Sequence, residues 1–116
     1  SMTLNLCVNY GGRAEIADAA TAIAEDVVSG KLDIDAIDTD TFGDYLYRPE
    51  LPDPDLVVRS SGELRFSNFL LWQSAYSEFV SLEVLWPDFD IDHLVDAIEE
   101  FNRRERRFGG RPTQEQ

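Results

Sequence analysis

Apolar and polar positions along the chain change their period several times, and each change predicts an element. Leu4-Asn5-Leu6-Cys7-Val8-Asn9 alternates and then turns apolar, which predicts a strand with Cys7 inside the core. Tyr10-Gly11-Gly12 is a turn. From Arg13 to Ser29 the period becomes helical, with Ile16, Ala19, Ala20, Ile23 and Val27 on one face and Gly30 as the stop. Lys31 to Glu50 is acidic and broken, which predicts two short helices capped by aspartates. Phe42, Tyr45 and Leu46 are placed to pin the second of these to the body. Pro49 to Pro54 links to Leu56-Val57-Val58, a short apolar run that fits a buried parallel strand. Ser60-Ser61-Gly62 turns the chain. An apolar helix is then predicted from about Phe69 to Tyr76, capped by Ser67 or Asn68, with Glu78 at its far end. Phe79 to Leu85 alternates as a second strand, and Trp86-Pro87 ends it. Asp88 or Asp90 caps a last helix whose apolar face is Leu94, Val95, Ile98 and Phe101, with Glu99–Arg103 and Glu100–Arg104 as i,i+4 pairs.

Strands alternating with helices make an α/β chain, part of a mainly parallel sheet flanked by helices. Its 116 residues make one domain at most, spanning 1–116, and the tail from 111 to 116 is expected to fray.

Composition narrows the function. Hydrophobic residues at 43% are enough for a core, so the chain is not of the disordered class. A net charge of −13 argues against nucleic acid as a partner, since that binding neutralises phosphates with basic groups, and against a basic membrane-surface patch. Charge is uneven, however: four of the ten basic residues lie between Arg103 and Arg107. Arginines in the last turn of a helix complement its dipole. The single cysteine cannot form an internal disulfide, which suits a reducing, cytoplasmic compartment. There is no apolar run near the ~18 residues that span a bilayer.

Two stretches invite a chemical reading. The aspartates 33, 35, 38, 40 and 44 suggest calcium at first sight, but a calcium loop needs glycine at its sixth position and glutamate at its twelfth. Counted from Asp33, those positions hold Asp38 and Asp44, so the pattern fails. The second stretch follows the central strand. Arg59 ends that strand, Arg65 follows in the same loop, and Ser67 or Asn68 opens the expected helix. Ligands of open α/β sheets sit beyond the carboxyl ends of strands. Guanidinium forks and a helix N-terminus both suit phosphate, so the stretch reads as a diphosphate cradle. Arginines salt-bridged to the abundant carboxylates are the competing explanation. Gly11-Gly12 is likewise open between close approach to a ligand and a tight connection.

The stretch from Asp55 to Glu78, Asp-Leu-Val-Val-Arg-Ser-Ser-Gly-Glu-Leu-Arg-Phe-Ser-Asn-Phe-Leu-Leu-Trp-Gln-Ser-Ala-Tyr-Ser-Glu, continues to Trp86-Pro87-Asp88-Phe89. It resembles the C-terminal signature of the cis-prenyltransferases, the undecaprenyl diphosphate synthase family. The resemblance extends to Asn9-Tyr10-Gly11-Gly12-Arg13 and to the run from Arg103 to Gly110. Members of that family are about twice this length. Their other half carries an essential aspartate in a His-x-Asp-Gly-Asn-x-Arg-Trp segment that does not occur here, so this chain corresponds to the C-terminal half.

The resemblance implies a division of labour. Isopentenyl diphosphate would be held by Arg59, Arg65, Phe66 and Ser67, and Glu78 would be a Mg2+ ligand. Arg107 and Gly109, in the C-terminal Arg-x-Gly, would reach across a homodimer toward the partner's site. The apolar helix would contribute to the same dimer. No catalytic residue is expected in this half. The allylic diphosphate would bind mainly to the missing half, and any membrane contact would be peripheral, through the lipid product. Leu64 departs from members that carry histidine or glutamine there, which removes any proton-handling role at that position. A non-catalytic partner subunit of a heteromeric enzyme is the alternative. The survival of Arg59, Arg65, Ser67 and Glu78 favours a fragment of an active enzyme.

Overall fold

A computed structural model of the chain describes residues 2–104. In order, these form helix α1 (Gly12–Val28), a 3₁₀ turn (Ile34–Ala36), helix α2 (Thr39–Gly43), strand β1 (Leu56–Arg59), strand β2 (Glu78–Ser81), a second 3₁₀ turn (Trp86–Asp88) and helix α3 (Ile91–Arg103). They fall into two compact units. One runs to Pro52 and includes Ser67–Trp72; the other contains Asp53–Phe66 and the chain from Gln73 onward. The architecture is α/β with a parallel strand pair, as the alternation of elements predicts.

The first unit is built on α1. Six alanines favour this helix, and Gly30, at φ 81°, closes it with backbone bonds from Gly30 N to Val27 O and from Lys31 N to Asp26 O. Ala19 and Ile23 are buried on the predicted face, while Ala20 is exposed. The acidic stretch forms the two expected short turns. Asp33 accepts from Asp35 N and Asp38 from Thr41 N, so these aspartates act as caps. Leu46 is buried, Phe42 stacks on Trp72 with ring centroids 4.5 Å apart, and the Tyr45 hydroxyl donates to Asp26 at 2.6 Å. The Tyr47 hydroxyl donates likewise to Asp18 at 2.5 Å. These phenols are thereby held above their ordinary pKa, because a carboxylate acceptor favours the protonated form. Glu15, 2% exposed, accepts from the Tyr10 hydroxyl and from Tyr47 N. Burial and then that hydrogen bond push the Tyr10 phenol upward. One face of α1 therefore clamps the 45–47 segment through its acids.

Two predicted elements, one of them running across the boundary at Trp72, do not form. Leu4–Asn9 is not a strand, and Leu4, Leu6, Val8 and Cys7 are exposed rather than core. A strand exists only where a neighbour completes its hydrogen bonds, and the described part of this unit contains none. The helix expected from Phe69 to Tyr76 is a series of turns. Ser67, Asn68 and Leu70 take φ of 52°, 65° and 47°, left-handed values that a right-handed helix cannot contain. The dimer contact expected of that helix therefore has no helix to rest on.

The second unit centres on the parallel pair. Leu56 is registered with Glu78, Val57 with Phe79, Val58 with Val80 and Arg59 with Ser81. Val80 and Ala97 of α3 are its buried core. Strand β2 begins one residue earlier and ends four earlier than its alternation predicts. Leu82 N still donates to Arg59 O, but Ser61 and Gly62 then turn back, at φ 59° and 67°, and donate to Val84 O and Leu82 O. The chain leaving β1 thus crosses where a longer ladder would run.

Helix α3 starts at Asp90, which accepts from His93 N while His93 Nδ1 accepts from Asp90 N, a reciprocal capping box. Trp86, Phe89 and His93 stack in series at 5.6 and 5.8 Å. The buried stripe is rotated from the predicted face. It centres on Ala97, with Phe101 half-buried, and leaves Leu94, Val95 and Ile98 exposed. No described helix is long and apolar enough to cross a membrane.

Candidate functional site

Arg59 stands at the carboxyl end of β1, as its place after three apolar residues predicts. The turn that follows needs left-handed backbone at Ser61 and Gly62, and a side chain on Gly62 would meet the Glu83 carboxylate at 3.0 Å. The loop then folds back. The Arg59 guanidinium donates to the carbonyl of Arg65 at 2.6 Å, so the two arginines are brought together by a bond from one side chain to the other's backbone. The Arg65 guanidinium is 82% exposed and lies 3.9 Å from Glu63, a pairing that water screens heavily. Phe66 packs edge-on against Phe79 with centroids 5.1 Å apart, which anchors the end of the loop to β2. Leu64 is exposed. The result is a closed loop carrying two guanidiniums beyond a strand end, which can take an anion with paired oxygens.

The expected helix N-terminus is not part of it. Ser67 belongs to the first unit, and its neighbour Asn68 caps a different helix. Asn68 O accepts from Gly12 N at 2.6 Å, and Asn68 Oδ1 accepts from Arg13 N at 2.8 Å. Two of the free donors at the start of α1 are thus consumed by a residue 55 positions away. Gly12 serves this contact. A Cβ there would lie 2.9 Å from Leu71 Cγ, 3.1 Å from Asn68 O and 3.2 Å from Leu71 N. The close approach that the glycine pair permits is to the protein's own backbone.

Glu78 is set apart from the arginine loop. It opens β2 opposite Leu56, three residues before the position paired with Arg59. That offset is about 10 Å along the strands, and strand alternation puts Glu78 with Val80 on one face and Arg59 with Phe79 on the other. The Glu78 side chain instead lies 3.8 Å from the guanidinium of Arg104, which also donates to Phe79 O at 2.5 Å and to Glu100 at 3.2 Å. Glu100 receives Arg103 as well, at 2.8 Å, and its carboxyl is held below its ordinary value, first by that bond and then by Arg104. Arg103 therefore pairs with Glu100 rather than with Glu99. Sequence reasoning placed Arg104 only in a surface pair with Glu100. Its position one turn below the half-buried Phe101 stripe was the available signal. Among the described residues no group of three or more His, Cys, Asp or Glu side chains comes together that could hold a metal ion. Arg107 and Gly109 lie outside the described residues.

Comparison with known proteins places the chain in a family. The family model for undecaprenyl diphosphate synthase matches residues 1–109. The chain is 60% identical over 109 residues to a trans,polycis-polyprenyl diphosphate synthase, (2Z,6E)-farnesyl diphosphate specific, of Thermobifida fusca, covering 94% of this chain and 39% of that one. It is 56% identical to an isoprenyl transferase of Bacillus subtilis, covering 94% and 42%. A crystal structure of lavandulyl diphosphate synthase from Lavandula x intermedia, in complex with dimethylallyl diphosphate, is similar with a TM-score of 0.84 and 43% identity, over 88% of this chain and 44% of that one. The chain belongs to the undecaprenyl diphosphate synthase family, a family of prenyl-transferring enzymes. It spans about two fifths of the length of the curated relatives it matches.

Proposed function

We propose that this chain supplies the isopentenyl diphosphate side of a cis-prenyltransferase. The complete site would condense isopentenyl diphosphate onto an allylic diphosphate and form a cis double bond at each step. The observation that carries the reading is the Arg59–Arg65 loop, closed on itself beyond β1 in a chain whose family match runs through it. In this reading the two guanidiniums hold the diphosphate oxygens and Phe66 fixes the loop on β2. Holding one substrate in place lowers the entropic part of a two-substrate barrier. Ser67 is a further phosphate contact on the strength of the resemblance alone. Glu78 would lend one carboxylate to magnesium, whose charge offsets that of the diphosphate, with the remaining ligands coming from outside these residues. The aspartate that the family carries in its other half has no counterpart in this sequence, so the chain by itself is expected to be inactive. Arg107 and Gly109 are assigned to a homodimer contact that would complete the partner's site.

The test is calorimetric titration of isopentenyl diphosphate into the chain, with and without Mg2+, beside an Arg59→Ala, Arg65→Ala double variant checked for folding. Saturable binding lost in the variant supports the reading. Equal binding by both would refute the arginine assignment. No binding by a folded chain would mean that the cradle needs the missing half, or that the chain is a non-catalytic partner subunit.

A further inference from the structure

The loop between Arg59 and Phe66 is held unevenly. Its first half is fastened to the chain that follows β2: Ser61 N donates to Val84 O at 2.7 Å and Gly62 N to Leu82 O at 2.9 Å. Its second half stands out, with Leu64 and the Arg65 guanidinium both exposed. Arg65 is reached from two sides. Phe66, the next residue, packs on Phe79, and the Arg59 guanidinium donates from Nη1 to the Arg65 carbonyl at 2.6 Å. The Glu63 carboxylate, 3.9 Å from the exposed Arg65 guanidinium, adds little. The bond from Arg59 ties the far side of the loop to the end of β1, and a bond from a charged donor is among the stronger kinds. A guanidinium carries more N–H donors than one carbonyl takes, so the same side chain still has donors for phosphate oxygens.

We propose that Arg59 is a positioning residue for Arg65 as well as a phosphate contact, so that Arg65 contributes fully to diphosphate binding only while the bond from Arg59 to its carbonyl is made. This deepens the reading of the loop as a diphosphate cradle and rests on it. A side chain on an unfastened loop loses freedom when it grips a ligand, and that loss subtracts from affinity. With its carbonyl already bonded, the Arg65 backbone is ordered before the diphosphate arrives. Two arginines joined in this way act as a unit, and their contributions to binding are not independent. The dependence runs one way. Removing the Arg65 side chain leaves its carbonyl, and hence the bond from Arg59, in place. Removing the Arg59 side chain takes away its own phosphate contact and the ordering of Arg65 together.

Two measurements test this, with circular dichroism and urea unfolding confirming that every variant is folded. The first needs no ligand: limited trypsin cleavage at the bond between Arg65 and Phe66. The protease must take the Arg65 carbonyl into its own oxyanion hole, so cleavage there requires the bond from Arg59 to be broken. It should be about tenfold faster in Arg59→Ala than in the parent. The second is a binding cycle with isopentenyl diphosphate, followed through the phosphorus resonances of the ligand. Arg65→Ala should weaken binding about tenfold and Arg59→Ala about a hundredfold, with the double variant no weaker than Arg59→Ala. A further variant replaces Phe66 by phenyllactic acid, which turns the Arg65 carbonyl into an ester, a poorer acceptor, and leaves both guanidiniums in place. It should bind several-fold more weakly than the parent. If the losses of the two single variants multiply in the double variant, if the ester binds like the parent, or if cleavage is no faster without Arg59, the positioning role is refuted while the cradle stands. If the double variant binds as well as the parent, the arginine assignment falls and the positioning role with it. If the parent binds no isopentenyl diphosphate, this chain by itself holds no cradle, and the proposal falls whatever the cleavage rate.

Discussion

Replacing Gly12 by alanine tests whether the Asn68 turn truly docks on the start of α1. In a helix an alanine is normally an improvement over glycine by about 0.5–1 kcal/mol, because the unfolded chain has less freedom to lose. Gly12 is the first residue of α1 and its φ is not in the left-handed region, so backbone strain does not enter. What opposes the gain is contact. The added carbon would stand 2.9 Å from Leu71 Cγ and within 3.2 Å of two backbone atoms, Asn68 O and Leu71 N. The leucine can rotate, but the backbone atoms cannot yield without lengthening the Gly12–Asn68 hydrogen bond. Overpacking of this kind costs about 1–3 kcal/mol, so the net effect is a loss of up to about 2.5 kcal/mol, centred on about 1 kcal/mol. Gly43, at the end of α2, is the control: a Cβ there meets nothing within 4 Å, and its φ is also ordinary. Gly43→Ala should be neutral or stabilising by about 0.5 kcal/mol. Urea unfolding followed by helical circular dichroism gives both values. Equal effects from the two substitutions, or a stabilised Gly12→Ala, would refute the docking of Asn68 on α1.

Asn68→Ala removes the side-chain cap on Arg13 N while leaving the backbone bond to Gly12, and should cost about 1 kcal/mol, read in the same urea titration and as faster amide exchange in the first turn of α1. Acid should loosen the caps of α2 and α3. Asp38 and Asp90 are held below the ordinary value of 3.8, in each case first by a backbone N–H, that of Thr41 and that of His93. A depressed carboxyl stabilises the fold above its unfolded value, and that contribution is lost as pH falls from 3.8 through the folded value. Ellipticity followed across that range should show α3 melting, and Asp90→Asn, which still caps, should flatten the curve. The alkaline limb has the opposite sign. Tyr45 and Tyr47, raised from 10.0 by Asp26 and Asp18, stabilise the first unit fully below 10.0 and lose that contribution above it. Tyr45→Phe, Tyr47→Phe should weaken the pH dependence of unfolding on that side.

What the sequence by itself determined was whatever a few neighbouring residues decide among themselves. Six alanines and a terminal glycine make α1, aspartates start the short turns and α3, and prolines bound β1 and end the region after β2. Arg59 at a strand end was legible for the same reason, since three apolar residues between breakers leave it nowhere else to stand. The family was legible in the long run from Asp55 to Glu78, whose order of side chains matches the family even where the local conformation is misjudged. Only the tertiary structure decided the rest. An alternating stretch at Leu4–Asn9 becomes a strand only if a partner stands beside it, and an apolar run at Phe69–Tyr76 suits a helix or a packed turn equally until long-range contacts choose. Asn68 looks like the cap of its own helix and is instead the cap of one 55 residues earlier, because unsatisfied amides at the start of α1 lie within its reach. Glu78 looks like the far end of a helix and instead opens β2 and meets Arg104, because parallel register and strand alternation, which no local pattern reports, set which residues share a face.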